Sequence, residues 1–200
     1  MKIRIKFRKW GAMKFIGHLD MMRYFQKAVR RANIDICYSE GYSPHQIMSF
    51  AAPLGVGITS DGEYFDIEVN SSLSSKESIE AFNQTMVDGV EVTSYVKLPD
   101  KAKTAMSIVA AADYRLSFKD GYESPYSVQE WKNIVDREFT SKDCFTIIKK
   151  TKKSEREVDL KPLVYQLSVE EVDTKPAFFI QVSTGSVDNI SHDVLHGFSE

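Results

Sequence analysis

Two histidines and an aspartate are the side chains in this sequence whose types are best suited to chemistry. His18 and Asp20 lie at the predicted start of a helix, and His45 lies in a loop with Gly41 and Pro44. If that loop met the helix start, two imidazoles and a carboxylate could form an acid–base pair or hold a metal ion. Because the spacing matches no metal motif, we predict no metal site and keep the three residues as candidate catalytic residues. In the alternative interpretation Gly17 or His18 caps the helix, Asp20 interacts with its dipole, and His45 is an ordinary loop residue.

Two basic stretches could bind the phosphates of RNA. In residues 2–8 apolar and basic side chains alternate, which predicts a strand with one buried face and a row of cations on the other. The second stretch begins at Lys149. The candidate RNA-binding residues are Lys2, Arg4, Lys6, Arg8, Lys149, Lys150, Lys152 and Lys153.

Each basic stretch also has a simpler interpretation. The cations of the first strand could form cross-strand ion pairs with Asp66 and Glu68, or this face could pack on a second domain. Tyr64 and Tyr95 are the aromatic residues expected on that face, which is few for a protein that binds single strands by stacking. The second stretch could be a solvated hairpin, because Glu155, Glu157 and Asp159 follow it.

Residues 1–98 are predicted to form one ferredoxin-like domain with the element order β-α-β-β-α-β. The strands are predicted at 2–8, 47–52, 63–69 and 90–98, and the first helix at about 17–33. Ser74 and Glu77 have the spacing of a capping box at the start of the second helix. Right-handed crossovers would place both helices on one face of a four-stranded sheet.

Residues 106–200 are predicted to form a second ferredoxin-like domain after a polar linker. The expected elements are a strand at 107–118, a helix with a capping box at Ser127 and Glu130, strands at 144–149, 163–169 and 178–183, and a helix from about Ser191. The last strand of the pattern is missing, and we expect truncation rather than a short sheet. The predicted fold class is therefore α+β, with tandem ferredoxin-like sandwiches of which the second is incomplete.

Composition restricts the possible functions. The chain has 200 residues, with 26 Lys and Arg against 28 Asp and Glu and a net charge of -2, which excludes general coating of nucleic acid by the whole surface. Cys37 and Cys144 cannot supply the three thiolates of a radical SAM cluster, and we expect both to be buried free thiols rather than a disulfide. Since no apolar run could span a bilayer, we expect a cytoplasmic protein without a membrane partner.

Six motifs are spread over most of the chain. They lie at Phe15–Asp20, Ala28–Ala32, Tyr38–His45, Ser49–Gly57, Lys149–Lys153 and Val158–Pro162. Together they resemble the radical-SAM-linked protein family, an uncharacterised bacterial domain that is often fused to or encoded beside cobalamin-binding-type radical SAM proteins. Gly17 stands where the family commonly has Ser.

The resemblance implies a bacterial cytoplasmic protein that works with a separate radical SAM enzyme. Together with the basic stretches, it predicts a non-enzymatic module without a cofactor that binds RNA or presents a substrate, in tRNA or rRNA modification. Two alternatives stay open. One is an enzyme that uses His18, Asp20 and His45, and the other is a protein–protein adaptor for the radical SAM partner.

Overall fold

A computed structural model describes residues 1–150 and 155–184, with side chains described for 1–148 and 157–184. The chain divides into two compact units, Met1–Val109 and Ala110–Glu200. Over the described residues it is an α+β protein with antiparallel sheets and four α-helices. The helix expected from Ser191 lies outside these residues. No helix in the described part is long and apolar enough to cross a membrane.

The first unit has the predicted β-α-β-β-α-β order, followed by one additional short helix. Its sheet is antiparallel, with the strand order β2-β3-β1-β4, so β1 is central. The elements are β1 (Lys2–Lys9), α1 (His18–Arg31), β2 (Met48–Phe50), β3 (Ser60–Glu68), α2 (Ser75–Asn83), β4 (Val90–Lys97) and α3 (Ala105–Ile108).

The alternation in β1 divides the sheet into two faces. Ile3, Ile5 and Phe7 are buried against both α1 and α2, in one cluster with Phe25 of α1 and Phe82 of α2. Four phenylalanine rings, from β1, α1, β2 and β3, contact one another at the centre of this cluster: Phe7, Phe25, Phe50 and Phe65. The side chains of Lys2, Arg4, Lys6 and Arg8 therefore project from the opposite face, which we call the basic face.

The two long helices of this unit begin differently. Gly17 is the N-cap of α1 and has no side chain to bind the first backbone N–H groups. Ser74 and Glu77 form the predicted capping box at the start of α2, with both reciprocal hydrogen bonds present. At the other end of α2, the Asn83 side chain donates to the carbonyl of Val92 and accepts from its N–H, which fixes the helix to β4.

An irregularity in β4 overturns the prediction that Tyr95 lies on the basic face. The register between β1 and β4 pairs Lys6 with Ser94 but Phe7 with Val92, so Thr93 is an extra residue. A bulge of this kind shifts the side-chain alternation by one position. Tyr95 is consequently buried on the helix side, near Phe82.

The second unit contains a three-stranded sheet and a separate hairpin in its described part. The sheet has the order β5-β9-β8, and β6 pairs with β7 alone. The predicted tandem repeat of a ferredoxin-like sandwich therefore stays a prediction. The elements are β5 (Ala111–Ser117), α4 (Val128–Val135), β6 (Thr146–Lys150), β7 (Glu155–Asp159), β8 (Val164–Val172) and β9 (Lys175–Ser183).

Other details of this half of the chain differ from the sequence prediction. The strand expected from Ser107 begins at Ala111, because residues 105–108 form α3. The capping box of Ser127 and Glu130 is confirmed at the start of α4. Both cysteines are free thiols as expected, but neither is buried: Cys37 is half-buried and Cys144 is exposed.

Candidate functional site

Arg4 and Asp66 form a bidentate ion pair in the middle of the basic face. The two residues are register partners on β1 and β3, and Nε and Nη2 of Arg4 lie 2.8 and 3.0 Å from the two carboxylate oxygens. Their side chains are only 18% and 12% exposed. This charged hydrogen bond raises the pKa of the Arg4 guanidinium. The alternative of cross-strand ion pairing is therefore confirmed for Arg4.

The same ion pair holds residues 103–105 against the sheet. Arg4 Nη2 donates to the carbonyl oxygen of Lys103 at 2.9 Å, and the Ala105 N–H donates to Asp66 Oδ2 at 2.7 Å. Ala105 is 2% exposed, although Met106 and Ile108 beside it are exposed. Arg4 thus has a structural role that its place in an alternating pattern does not disclose.

Arg8 is paired as well, but in a more exposed position. It donates to Asp61 at 2.9 Å, lies 3.5 Å from Glu91, and its guanidinium lies over the Trp10 ring. The sequence predicts only Asp66 and Glu68 as ion-pair partners for the four cations. With Asp61 and Glu91 beside the same strand, the positive charge on this face is largely balanced.

Lys6 and Lys2 are the cations of the basic face that make no ion pair within the described residues. Lys6 is the register partner of Tyr64 on β3, and its Nζ lies 5.8 Å from the centre of that ring. Tyr64 is 37% exposed. A cation beside an accessible aromatic ring is suited to bind a phosphate and a base together.

Lys149 and Lys150, which begin the second basic stretch, lie on β6, and β6 pairs with β7. The backbone register places Lys149 opposite Arg156 and Lys150 opposite Glu155. Lys152 and Lys153 lie outside the described residues. RNA binding by Lys149, Lys150, Lys152 and Lys153 stays a prediction.

The structure does not bring His18, Asp20 and His45 together. Asp20 is exposed and pairs with Arg23 at 3.1 Å. His45 is exposed in its loop. Its Nδ1 lies 2.8 Å from Ser39 Oγ, and the backbone N–H of His45 donates to the same oxygen. His18 packs edge-on against the Phe50 ring. In the described part of the chain, no group of three His, Cys, Asp or Glu side chains is placed to hold a metal ion.

His18 instead lines a small cavity together with two ionisable residues, Lys9 and Glu63, which are not among the predicted candidates. Lys9 and Glu63 belong to β1 and β3 and lie on the helix side of the sheet. Lys9 is 1% exposed, and its Nζ donates to the Ile16 carbonyl oxygen at 2.7 Å. Glu63 accepts from the Ser60 hydroxyl at 2.8 Å.

Burial sets the electrostatics of this cavity. It lowers the pKa of Lys9 and, together with the Lys9 charge, lowers the pKa of His18. It raises the pKa of Glu63, against the smaller opposing effects of the Ser60 hydrogen bond and Lys9. All three shifts favour the neutral forms, which is the direction that desolvation imposes on cations and carboxylates.

A simple extension of the alternating pattern would have found Lys9 and Glu63. Lys9 continues the buried series Ile3, Ile5 and Phe7, and Glu63 has the same parity on β3 as the buried Phe65. The first strand predicted from the sequence ends at residue 8, one residue before Lys9.

The raised pKa of Glu63 predicts a specific pH dependence of stability. Between the ordinary value of 4.5 and the raised folded value, the folded protein binds more protons than the unfolded chain, so stability falls as pH rises. Glu63→Gln keeps an acceptor for Ser60 but cannot ionise. We expect this variant to match the wild type in urea midpoint near pH 4 and to exceed it near pH 8. Glu91→Gln, on the basic face, is the control, and equal pH slopes for wild type and Glu63→Gln would contradict the assignment.

The described structure defines an α+β protein whose first unit has a largely neutralised basic face and a buried lysine on its other side. A family model described as "Uncharacterized protein conserved in bacteria (DUF2344)" matches residues 2–192, and the chain therefore belongs to that family. No curated protein matches the chain. The expectation of an uncharacterised bacterial family is confirmed, whereas its link to radical SAM enzymes stays a prediction.

Proposed function

We propose that the first unit is a non-enzymatic module that binds single-stranded RNA on its basic face and presents it to a radical SAM enzyme. The observation that carries this proposal is the pair of Lys6 and Tyr64. An unpaired cation next to an accessible ring offers one contact for a phosphate and one surface for a base, which is how open sheets bind single strands.

The remaining features support a small interface rather than a wide one. Lys2 extends the contact along β1, while Arg4 and Arg8 are held by carboxylates. Two phosphate contacts on a single strand correspond to a salt slope of about −1.4 in log K against log salt concentration. We therefore propose modest, salt-dependent affinity, with the lysines of the β6–β7 hairpin supplying further contacts to tRNA or rRNA.

The partner in this proposal is a separate radical SAM enzyme. Two cysteines cannot ligate the cluster such chemistry requires, so this chain would supply substrate binding and the partner the reaction. The strand order of the first unit supports a ferredoxin-like assignment, a topology whose sheets commonly bind RNA. The motif resemblance supports the choice of partner.

Filter binding of tRNA and rRNA fragments at about 50 and 200 mM salt tests the proposal. We expect Tyr64→Ala to weaken binding about tenfold through lost stacking, and Lys6→Gln to weaken it and lower the salt slope. Lys27→Gln, an exposed lysine on α1, is the matched control. Salt-independent binding, or equal affinities of Lys6→Gln and Lys27→Gln, would refute the proposal.

A protein–protein adaptor is the second candidate, and one observation favours it. Phe15, Leu19 and Val56 are each more than 60% exposed. They are close together, because Val56 Cγ2 lies near Gly17 and the Gly57 N–H donates to the Lys14 carbonyl oxygen. Contiguous exposed apolar side chains often mark a protein interface. Capture of the purified radical SAM partner that survives RNase treatment and fails with Leu19→Glu would support this function.

A further inference from the structure

Residues 99–109, which we call the strap, cross the basic face after β4 ends. Just before them the Leu98 N–H donates to the Lys2 carbonyl oxygen at 2.8 Å, so the chain leaves the sheet beside the start of β1. The Lys103 carbonyl oxygen then lies 2.9 Å from Arg4 Nη2, and α3 at the end of the strap lies against β2 and β3. The strap therefore passes over the middle of the sheet, from β4 across β1 and β3.

The strap separates the two cations of the proposed RNA interface. Lys2 and Lys6 lie on either side of Arg4, on the same face of β1. At roughly 3.3 Å per residue, about 13 Å of strand separates them. Because Arg4 binds the strap between these two positions, the strap lies in the path of a single strand that follows β1 from Lys6 to Lys2.

In the described structure, two side-chain hydrogen bonds hold the strap to the sheet. Arg4 donates to the Lys103 carbonyl oxygen, and Asp66 accepts the Ala105 N–H at 2.7 Å. Ala105 is also the buried residue of the strap, at 2% exposed. The α3 helix has only one turn, which is too short to be stable alone, and its N-cap Thr104 makes no side-chain hydrogen bond to it. The position of the strap thus depends on a small number of contacts that can be broken together.

We propose that the strap is a gate on the basic face, and that single-stranded RNA displaces it in order to contact Lys2 and Lys6 together. This inference rests on the proposed function and concerns the regulation of the same site. With the strap in place, Lys6 and Tyr64 are accessible to RNA. With the strap released, the same strand extends along β1 to Lys2. Since the full contact forms only in the open form, the apparent affinity is proportional to the fraction of the protein that is open.

Filter binding of single-stranded RNA to Ala105→Pro tests the gate. Proline lacks the N–H that Asp66 accepts, and Thr104, at φ −64° and ψ 152°, already has the extended conformation that a residue before proline favours. Loss of one hydrogen bond from the closed form should raise the open fraction, and with it the affinity, about fivefold. Val128→Pro, at the first position of α4 in the second unit, is the matched control and should bind RNA as the wild type does. If Ala105→Pro has the wild-type urea midpoint or a slightly lower one, yet binds RNA no more tightly, the gate is refuted.

Amide hydrogen exchange of the wild type, free and saturated with RNA, tests the same step without a substitution. Release of the strap should speed exchange of the Ala105 N–H. The Val92 N–H, which donates to the Asn83 side chain at 2.8 Å, should keep its rate. Bound RNA with unchanged or slower exchange at Ala105 would contradict release of the strap and leave the RNA-binding proposal standing. Absence of salt-dependent RNA binding by the wild type would instead refute the proposed function, and the gate with it.

Discussion

Asp66→Ala is expected to lower the free energy of unfolding by about 2–3 kcal/mol. The Asp66 carboxylate accepts two hydrogen bonds from the Arg4 guanidinium and one from the Ala105 N–H. The Asp66 side chain is 12% exposed. Its removal leaves a largely covered guanidinium without a counter-ion and a buried backbone donor without an acceptor. The measurement is urea unfolding at neutral pH, with hydrogen exchange of the Ala105 amide, which should become faster.

Asp61→Ala is the matched control for this prediction. Asp61 also pairs with an arginine of β1, at 2.9 Å from Arg8, but its side chain is 88% exposed. Exposed ion pairs contribute little, so this variant should differ from the wild type by less than about 0.5 kcal/mol. Equal losses for the two variants, or unchanged exchange at Ala105 in Asp66→Ala, would show that residues 103–105 are not held by Asp66.

Lys9→Met is expected to raise the free energy of unfolding by about 1 kcal/mol, and Lys9→Ala to lower it by about 2 kcal/mol. Methionine fills a similar length of the apolar environment and removes a cation whose burial is costly. Alanine removes the charge too, but leaves a cavity beside Phe7 and Phe50. Thermal and urea unfolding of the two variants provide the comparison.

Comparison of the two Lys9 variants shows whether Lys9 stabilises the fold or costs stability. If Lys9 were retained because its hydrogen bond to Ile16 stabilises the fold, both variants would be less stable than the wild type. A more stable Lys9→Met would mean that the lysine costs stability, as residues that serve a site often do. Loss of stability in Lys9→Met would therefore contradict the view that burial of Lys9 costs stability.

The sequence predicted the structure best where a local side-chain pattern determines a strand face or a helix start. The period-two pattern of β1 and the capping boxes at Ser74 and Ser127 reflect local geometry, and the structure contains all three. Tyr95 was misplaced because the bulge at Thr93 depends on the register with β1, which a single strand does not disclose. The helical turn at Ala105 is fixed by a tertiary hydrogen bond to Asp66, so its local sequence did not indicate it.

The candidate site was less predictable because charge pairing is a property of the folded protein. Asp61 and Glu91 are far from β1 in sequence, yet both contact Arg8. Conversely, His18 and His45 appeared to be potential partners, but His45 is held by Ser39 in its own loop. The alternating pattern places both Lys9 and Glu63 on the buried face of their strands, but only the fold shows that they line one cavity with His18.

Photochemical cross-linking of the full chain to single-stranded RNA, with the cross-linked peptides identified by mass spectrometry, tests the central claim most directly. Our account predicts salt-sensitive cross-links at Tyr64 on β3 and within β1, and loss of the Tyr64 cross-link in Lys6→Gln. Cross-links confined to α1 or α2, or a Tyr64 cross-link that persists unchanged in Lys6→Gln, would contradict it.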